Sequence, residues 1–344
     1  MSSPHAAPVL RELPDMVSGP RVMFVIPGEG YGSSMIFSRR QAESVAVEGT
    51  PVEVFYLASR TSPVVLLKEL RRFRSEIKRL HPAVIHAQYG TVTALFCALG
   101  TGLPLVITYR GSDLNPAPPS FGWRGKFRAN CGRLMSQLAA LRAREIVCVS
   151  GQLRDRLWWR RARVTVLPTG VDPAVFHPEP QAAARRRLGW SAEERVILFN
   201  AGRDPRVKGL DLARAALDQV RRRMPEARLE VLDGSTGPDC VPGFMNAADC
   251  LLVTSVFEGS PTVVQEALAC GLPVISVDVG DVVERVRGVR NCVISAAEPE
   301  ALGRALADML DPPRRSNGRL KIAEFSSRHI AGELKKLYLK TAKT

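Results

Sequence analysis

Eleven short apolar runs, most of them followed by a segment with helical spacing, restrict the fold of this chain more than any other feature. The runs are RVMFVIP, VEVFYL, AVIHA, LVITY, EIVCVS and VTVLP, then RVILFNAG, RLEVLDG, CLLVTS, PVISV and CVIS. Apolar strands that alternate with helices are typical of parallel sheets covered on both faces. A chain of 344 residues is long for one core, and eleven strands suffice for two sheets. We therefore predict an α/β fold of two Rossmann-like, doubly wound domains facing each other across a cleft.

A proline-spaced segment divides the chain. This segment, PTGVDPAVFHPEP from Pro168 to Pro180, is interpreted as the linker between the domains. The predicted organisation is a disordered tail over 1–20, an N-terminal domain over 21–168, a C-terminal domain over 169–325, and a helix over 326–344 that returns to the N-terminal domain. Facing domains of this kind bind ligands at the carboxyl ends of their strands. Polar motifs that directly follow the strands are therefore the candidates for a functional site.

The composition argues against several classes of protein. The first 20 residues lack a charged start followed by an apolar stretch, so no secretory signal is expected. The longest uncharged run, Gly90 to Tyr109, is broken by glycine and proline, and it reads as helix, turn and strand rather than as a membrane span. The seven cysteines include no close pair, which argues against zinc and a disulfide framework and fits a reducing cytoplasm.

Positive charge is concentrated in the first half of the chain. The net charge is +14, and residues 1–170 contain 23 Lys and Arg against 11 Asp and Glu, whereas the remainder contains 25 against 23. Such a field suits an anionic membrane surface, a phosphorylated substrate or nucleic acid. No nucleic-acid partner is expected, because no recognisable reading module accompanies the charge.

A glycine-rich turn follows the first predicted strand. In PGEGYGSS, Gly28 and Gly30 fit a dinucleotide fingerprint, but Ser33 stands where its third glycine would fall and Gly32 is one place early. Gly30 and Gly32 are candidates for a close approach of backbone to a ligand, and a plain tight turn is the equal alternative.

Charged side chains follow two further strands. Arg203 and Lys208, in NAGRDPRVKG, come after the first strand of the second half and suit a diphosphate, although isolated cations are more often solvated. Arg110 and Asp113 follow the fourth strand in TYRGSD, where the alternative is a capping aspartate beside an incidental arginine.

FEGSPTVVQEALACG carries two glutamates around the start of a predicted helix. Ser260 is predicted as the N-cap and Pro261 as the first helical residue. The amides near Thr262 and Val263 are then unpaired and suit an anion such as phosphate. Glu258 precedes the helix, and Glu266 lies one turn into it; the alternative is a loop acid and a solvated helix residue.

These motifs, in this order, resemble those of family 4 of the retaining glycosyltransferases, of the bacterial group 1 type, which have the GT-B fold. EGSPTVVQEALACGLPVI is similar to the family's E-x7-E signature, and GRDPRVKG resembles its diphosphate-binding segment. VLPTGVDPAVFHP resembles the family's interdomain PNGVD linker, with Thr169 where asparagine is usual. VCVSGQLRDRL fits a strand followed by a helix that the family has before this linker. The resemblance covers about residues 20–340.

The resemblance implies a role for each matching position. The N-terminal domain would hold the acceptor and the C-terminal domain the nucleotide sugar. Arg203 and Lys208 would bind the diphosphate, Glu258 the donor sugar, Glu266 the ribose, and the amides of Thr262 and Val263 the phosphate. The further donor-binding candidates are Ser260, Gly30 and Gly32, and the catalytic candidates are Arg203, Lys208, Glu258, Arg110 and Asp113. No D-x-D element is visible, so neither a metal nor another cofactor is expected.

Two departures from the family pattern affect the site. Arg110 replaces a histidine that normally sits near the donor sugar, although Gly111 and Asp113 remain. Only eleven residues separate Gly234 from Asn246, so a strand and helix that help to hold the nucleobase are expected to be missing.

The expected function is retaining transfer of a sugar from a nucleotide sugar to a lipid-linked or polysaccharide acceptor. A UDP-sugar is the favoured donor and a GDP-sugar the alternative. A GT-B sugar-nucleotide epimerase and an inactive GT-B binding module stay open as other functions. The basic helix LLKELRRFRSEIKRL, over 66–80, and the tryptophans Trp123, Trp158 and Trp159 among arginines lead to the hypothesis of a cytoplasmic protein that is peripheral at the inner face of the membrane.

Overall fold

Two parallel sheets form the framework of the protein. The computed structural model describes residues 19–30, 35–118, 121–202 and 204–343. The predicted tail over 1–20 lies outside the described residues except for its last two positions. Each of the eleven apolar runs forms a strand, and all the strand pairs are parallel. The predicted α/β class with two doubly wound sheets is confirmed.

The first sheet has the strand order β2-β1-β3-β4-β5-β6. Its strands are β1 Val22–Pro27, β2 Val52–Leu57, β3 Val84–Ala87, β4 Leu105–Tyr109, β5 Glu145–Cys148 and β6 Val164–Val166. Every residue of β1, β3, β4 and β5 is buried, as continuous apolar runs in a sheet covered on both faces require.

The second sheet has the strand order β11-β10-β9-β7-β8. Its strands are β7 Arg195–Gly202, β8 Ala227–Asp233, β9 Cys250–Val253, β10 Val274–Val277 and β11 Cys292–Ser295. Between β8 and β9 the described residues form a single helix of seven residues and no strand. That short connection agrees with the expected loss of a strand there, although one helix is retained.

Helices cover both sheets. Those of the first half are α1 Ile36–Val47, α2 Pro63–Leu80, α3 Thr91–Gly100, α4 Trp123–Arg142 and α5 Gly151–Asp155. Those of the second half are α6 Gln181–Leu188, α7 Pro205–Lys208, α8 Leu210–Arg221, α9 Val241–Ala247, α10 Thr262–Ala269, α11 Val282–Val286, α12 Pro299–Leu310, α13 Ile322–Phe325 and α14 Ser327–Ala342. Short 3₁₀ turns occupy Arg161–Arg163 and Gly318–Lys321.

The chain crosses between the sheets at two places that lie side by side. The first crossing is the proline-spaced linker, and the second joins α13 to α14. The amide of Val171 donates to the carbonyl oxygen of Phe325 at 3.0 Å, and the amide of Ser327 donates to that of Val171 at 2.7 Å. These bonds tie the two crossings together, so both belong to one hinge region.

The last helix packs on the first sheet. Leu334 and Tyr338 of α14 are fully buried in the same cluster as Val22 and Phe24 of β1. The Tyr338 hydroxyl lies 2.6 Å from Nδ1 of the buried His86, whose pKa is lowered by burial to about 3. The domain boundaries themselves stay a prediction. Among the described residues, no helix combines the length and apolar character needed to cross a membrane.

Candidate functional site

Loops from the carboxyl ends of the two sheets meet each other directly. The loop after β4 contains Gly111, and the loop after β9 contains Gly259. A Cβ at Gly111 would lie 3.2 Å from the Gly259 nitrogen, and a Cβ at Gly259 would collide with the carbonyl oxygen of Arg110. Nδ2 of Asn115 also donates to the carbonyl oxygen of Glu258 at 3.2 Å. The cleft is therefore closed at this point by backbone contact that only glycine permits.

Lys208 and Glu258 form an ion pair at this edge of the second sheet. Lys208 Nζ lies 2.5 Å from Glu258 Oε1, which also accepts a 2.9 Å hydrogen bond from the Ser255 hydroxyl. The Thr254 hydroxyl donates to the carbonyl oxygens of Lys208 and Gly209 at 3.1 and 2.8 Å, which fixes the end of α7. The side chains of Lys208 and Glu258 are 28% and 16% exposed, so both are open to a ligand.

The start of α10 differs from the predicted cap. The helix begins at Thr262 with Pro261 as its N-cap, so the prediction that Ser260 caps the helix and that Pro261 is its first residue is wrong. The Ser260 hydroxyl instead donates to Asp281 Oδ2 at 2.8 Å, because that carboxylate lies beside it in the loop after β10. The change leaves the first-turn amides of Thr262 and Val263 without a side-chain cap, which strengthens the case for an anion there.

Glu266 faces a cavity between the two halves. The cavity has a volume of about 520 Å³ and is lined by α1, the linker, α10 and the start of α14. Thr262 and Glu266 line it on one side, and Arg40 and Gln41 of α1 line it on the other. Burial raises the pKa of Glu266 to about 7, and the Arg40 guanidinium opposes that shift. The Glu266 carboxylate makes no hydrogen bond to another described side chain or amide, so it is available to hydroxyl donors.

Arg110 is held by four acceptors. Its Nε donates to the Gln88 carbonyl oxygen at 3.2 Å, and its Nη2 donates to Gln88 Oε1 and Gln41 Oε1 at 2.5 and 3.0 Å. Its Nη1 donates to the Thr169 hydroxyl at 3.0 Å. Burial lowers the pKa of Arg110 to about 10. The guanidinium thus joins the residue after β3, α1 and the linker, and most of its N–H groups are already occupied.

Asp113 is directed at backbone amides rather than at the cleft. The residue is fully buried, and its carboxylate accepts hydrogen bonds from the amides of Gly90, Arg110 and Gly111 at 2.8 to 3.1 Å. Burial raises the pKa of Asp113, and these backbone hydrogen bonds oppose the rise. Its observed contacts shape the loop that meets Gly259.

The glycine-rich turn and the diphosphate segment are described only in part. Gly30 has φ +83° and packs against the Tyr56 ring, where a Cβ would come within 2.8 Å. Gly32 and Arg203 lie outside the described residues, so their roles stay predictions. Within the described part of the chain, no group of three or more His, Cys, Asp or Glu side chains could hold a metal ion.

Several residues of the site were not singled out from the sequence. Asn115, Gly259 and Gln41 each connect segments that are far apart in the chain. The only signal for Asn115 and Gly259 is that each lies in a loop after a strand. Gln41 is one polar residue on a helix, and its partner Arg110 is 69 positions away.

Two facing parallel sheets, with an uncapped helix start and an ion pair at the cleft, define a protein of the GT-B class. The model of Glycosyltransferase Family 4 matches residues 29–175, and that of Glycosyl transferases group 1 matches residues 231–312. Together these segments cover 229 of the 344 residues. The chain belongs to glycosyltransferase family 4.

Known proteins agree with this classification. The chain is similar to a D-inositol 3-phosphate glycosyltransferase of Segniliparus rotundus, with 32% identity over 195 residues, which are 47% of this chain and 42% of that protein. The chain thus spans less than half the length of this relative. Sucrose-phosphate synthase from Thermosynechococcus elongatus has a TM-score of 0.78 at 19% identity, covering 93% of this chain and 98% of that one. HepE from Anabaena, in complex with UDP-glucose, has a TM-score of 0.71 at 16% identity, covering 92% and 99%. The structural matches establish the shared fold.

Proposed function

We propose that the protein transfers a sugar, with retention of configuration, from a nucleotide-sugar donor to an acceptor. The observation that carries the proposal is the arrangement around the start of α10. Lys208 pairs with Glu258 just before the helix, the first-turn amides are uncapped, and Glu266 follows one turn later. A cation and unpaired amides suit a diphosphate, and carboxylates suit sugar hydroxyls. This order of groups matches a nucleotide sugar, whose diphosphate lies between two sugar rings.

Each group then has a distinct task. Lys208 and Arg203 bind the diphosphate and stabilise the charge that develops on it as the sugar departs. Glu258 holds hydroxyls of the donor sugar, and Glu266 holds the ribose hydroxyls. No residue is assigned as a nucleophile: the acceptor attacks from the face that the diphosphate leaves, and the leaving phosphate takes the acceptor proton. Arg110 and Asp113 keep the loop after β4 in place beside the donor.

The donor is the first thing to test. The protein is incubated with UDP-sugars and GDP-sugars, with and without glycan acceptors, and the anomeric configuration of the product is read by NMR. A UDP-sugar is tested first because HepE, which shares the fold, is seen with UDP-glucose. We expect acceptor-dependent transfer with retention, and we expect it to persist in EDTA because cations and the helix start meet the phosphate charge.

Two other functions give different results in the same experiment. A sugar-nucleotide epimerase would change the sugar without needing an acceptor, and it would release UDP or a modified nucleotide sugar. An inactive GT-B module would bind the nucleotide without turnover. Either result, obtained with a range of donors and acceptors, would contradict the proposed transfer.

The acceptor is proposed to be lipid-linked or part of a polysaccharide in cell-surface glycan synthesis. Support comes from the net charge of +12 within residues 1–170, the half that would bind the acceptor. A basic surface beside the acceptor site suits a peripheral protein at the cytoplasmic face of an anionic membrane. Two arginines of α2 are already engaged within the protein: Arg72 pairs with Glu69, and Arg74 donates to the Gly100 carbonyl oxygen.

A further inference from the structure

Helix α4 exposes its large apolar side chains to solvent. Trp123 is 74% exposed and Phe127 67%, and Leu134, Leu138 and Leu141 are 46%, 44% and 49% exposed. Their spacing of four, seven, four and three places them on one side of a helix with 3.6 residues per turn. We call these five residues the outward stripe. A helix that covers a sheet normally turns such residues toward the core.

The buried side of α4 packs against the first sheet and its helices. Ser136, Gln137, Ala139 and Ala140 are buried, and they are all small or polar. Gly132 faces Thr91 at the start of α3, where a Cβ would lie 3.2 Å from the Thr91 side chain. Close packing therefore uses the small side of the helix. The five residues of the outward stripe belong to none of the hydrophobic core clusters of the described residues, so the stability of the fold does not account for them.

The positive charge of α4 indicates that an anionic partner would cover the outward stripe. The helix contains five cations and no acidic residue, the cations being Arg124, Lys126, Arg128, Arg133 and Arg142. Trp158 is 49% exposed beside the helix, with its ring 5.9 Å from the Arg133 guanidinium. Trp159, in contrast, is only partly exposed and donates its ring N–H to the Gln137 carbonyl oxygen at 2.8 Å.

We propose that α4 is an in-plane membrane-docking helix whose outward stripe enters the interface of an anionic lipid bilayer. A tryptophan, a phenylalanine and leucines flanked by arginine and lysine are the composition that suits such a position. A second copy of the chain fits less well, because two facing α4 helices would bring ten cations together without an acid between them.

Docking by α4 also orients the cleft. The helix follows β4, and its Ser136 hydroxyl accepts a hydrogen bond from the Thr91 amide at 2.7 Å beside the carboxyl end of β3. The first turn of α4 therefore extends beyond the carboxyl edge of the first sheet. Asn115 contacts the Glu258 loop. A bilayer under the outward stripe would therefore lie next to the mouth of the cleft, where a lipid-linked acceptor is needed. This consequence rests on the proposed function, whereas the docking itself does not.

The test compares vesicle binding of the wild type with that of two matched double variants. Wild type, Trp123→Ser/Phe127→Ser and Val64→Ser/Leu67→Ser are sedimented with phosphatidylcholine vesicles and with vesicles that also contain phosphatidylglycerol, at low and high salt. Val64 and Leu67 of α2 are 66% and 63% exposed, so they control for the loss of exposed apolar side chains elsewhere. We expect binding that needs anionic lipid, weakens with salt and falls about tenfold or more only in the α4 variant.

Three results separate the possibilities. Equal vesicle binding by all three proteins, or none at low salt, would overturn the proposal. Concentration-dependent dimerisation without lipid, abolished by Trp123→Ser/Phe127→Ser, would assign the stripe to a second copy instead. Calorimetry with UDP on the same proteins distinguishes the docking proposal from the proposed sugar transfer. Unchanged UDP affinity together with lost vesicle binding in the α4 variant supports the docking helix. Vesicle binding by a protein that has no UDP affinity would contradict the proposed transfer alone.

Discussion

Arg110 and Thr169 both depart from the usual family pattern, and in the structure they contact each other. The guanidinium donates to the Thr169 hydroxyl at 3.0 Å, while its other N–H groups bind Gln41 and Gln88. All three partners are buried. An arginine at this position therefore acts as a tie between the loop after β4, α1 and the linker. In the sequence, the replacement of the usual histidine by Arg110 and that of the usual asparagine by Thr169 look unrelated, because a sequence motif does not show which residues are in contact.

We expect Arg110→His to lower the free energy of unfolding by about 1–3 kcal/mol, because it leaves buried acceptors without their donor. Thr169→Asn alone should cost less, since Arg110 keeps its other partners. Urea unfolding of the two single variants and the double variant completes a double-mutant cycle. Additive effects within about 0.5 kcal/mol would show that Arg110 and Thr169 do not act as a pair.

The raised pKa of Glu266 leads us to predict that donor binding depends on pH. Burial raises its pKa to about 7, and the carboxylate is the form that accepts hydrogen bonds from ribose hydroxyls. The affinity for UDP should therefore rise as the pH increases from 6 to 8, by several-fold up to about tenfold. Calorimetry at both pH values measures this change. Glu266→Gln is the control, because it keeps any pH dependence that belongs to UDP itself.

The same shift has a consequence for stability. A carboxyl group whose pKa is raised by folding binds more protons in the folded state, so it lowers the free energy of unfolding as the pH rises from about 4.5 to about 7. Glu266→Gln should therefore gain stability relative to wild type across this range. A difference between the two proteins that does not change with pH would show that Glu266 has an ordinary pKa.

At the scale of single elements, α7 presents Lys208 while leaving its neighbour Arg206 exposed. Lys208→Ala should reduce transfer by about 10- to 150-fold, because a charge-assisted contact with the diphosphate contributes about 1.5–3 kcal/mol. Arg206→Ala removes a cation from the same four-residue helix and should leave the rate within about twofold of wild type. Initial rates with a saturating acceptor measure both. Equal losses in the two variants would mean that α7 acts only through general charge.

The sequence predicted the elements that depend on local composition, and it did not predict features that depend on contacts with distant segments. All eleven strands followed from apolar runs, most clearly the fully buried ones such as β1 and β4, because burial on both faces leaves little freedom in composition. The cap of α10 did not, since Asp281 from another loop competes for the Ser260 hydroxyl. The sequence also showed apolar residues among the cations of α2 and of the segment around Trp123, but not which way these residues point. Phe73 of α2 points inward, whereas Phe127 of α4 points outward, because small residues serve the packing of α4.

At the scale of the whole molecule, the two halves are joined at the hinge and at the cleft. The hinge consists of paired crossings, in which Val171 bonds to Phe325 and Ser327. The cleft contact consists of the Gly111 and Gly259 loops together with the bond from Asn115 to Glu258. Neither contact follows from a local pattern, because each depends on how two separately folded sheets are placed. The motifs singled out Lys208, Glu258 and Glu266, and the structure shows which backbone contacts close the cleft beside Glu258.

Gly259→Ala tests that closed arrangement. The new methyl group would collide with the Arg110 carbonyl oxygen, and both partners are backbone, so the loops must separate. A conflict of this kind costs about 1–3 kcal/mol, which should lower UDP affinity about tenfold and increase the radius of gyration measured by X-ray scattering. Gly332→Ala in α14 is the control, because its methyl group would meet open space. If Gly259→Ala kept the wild-type radius and affinity, the contact between these loops would not be what holds the cleft closed around a donor.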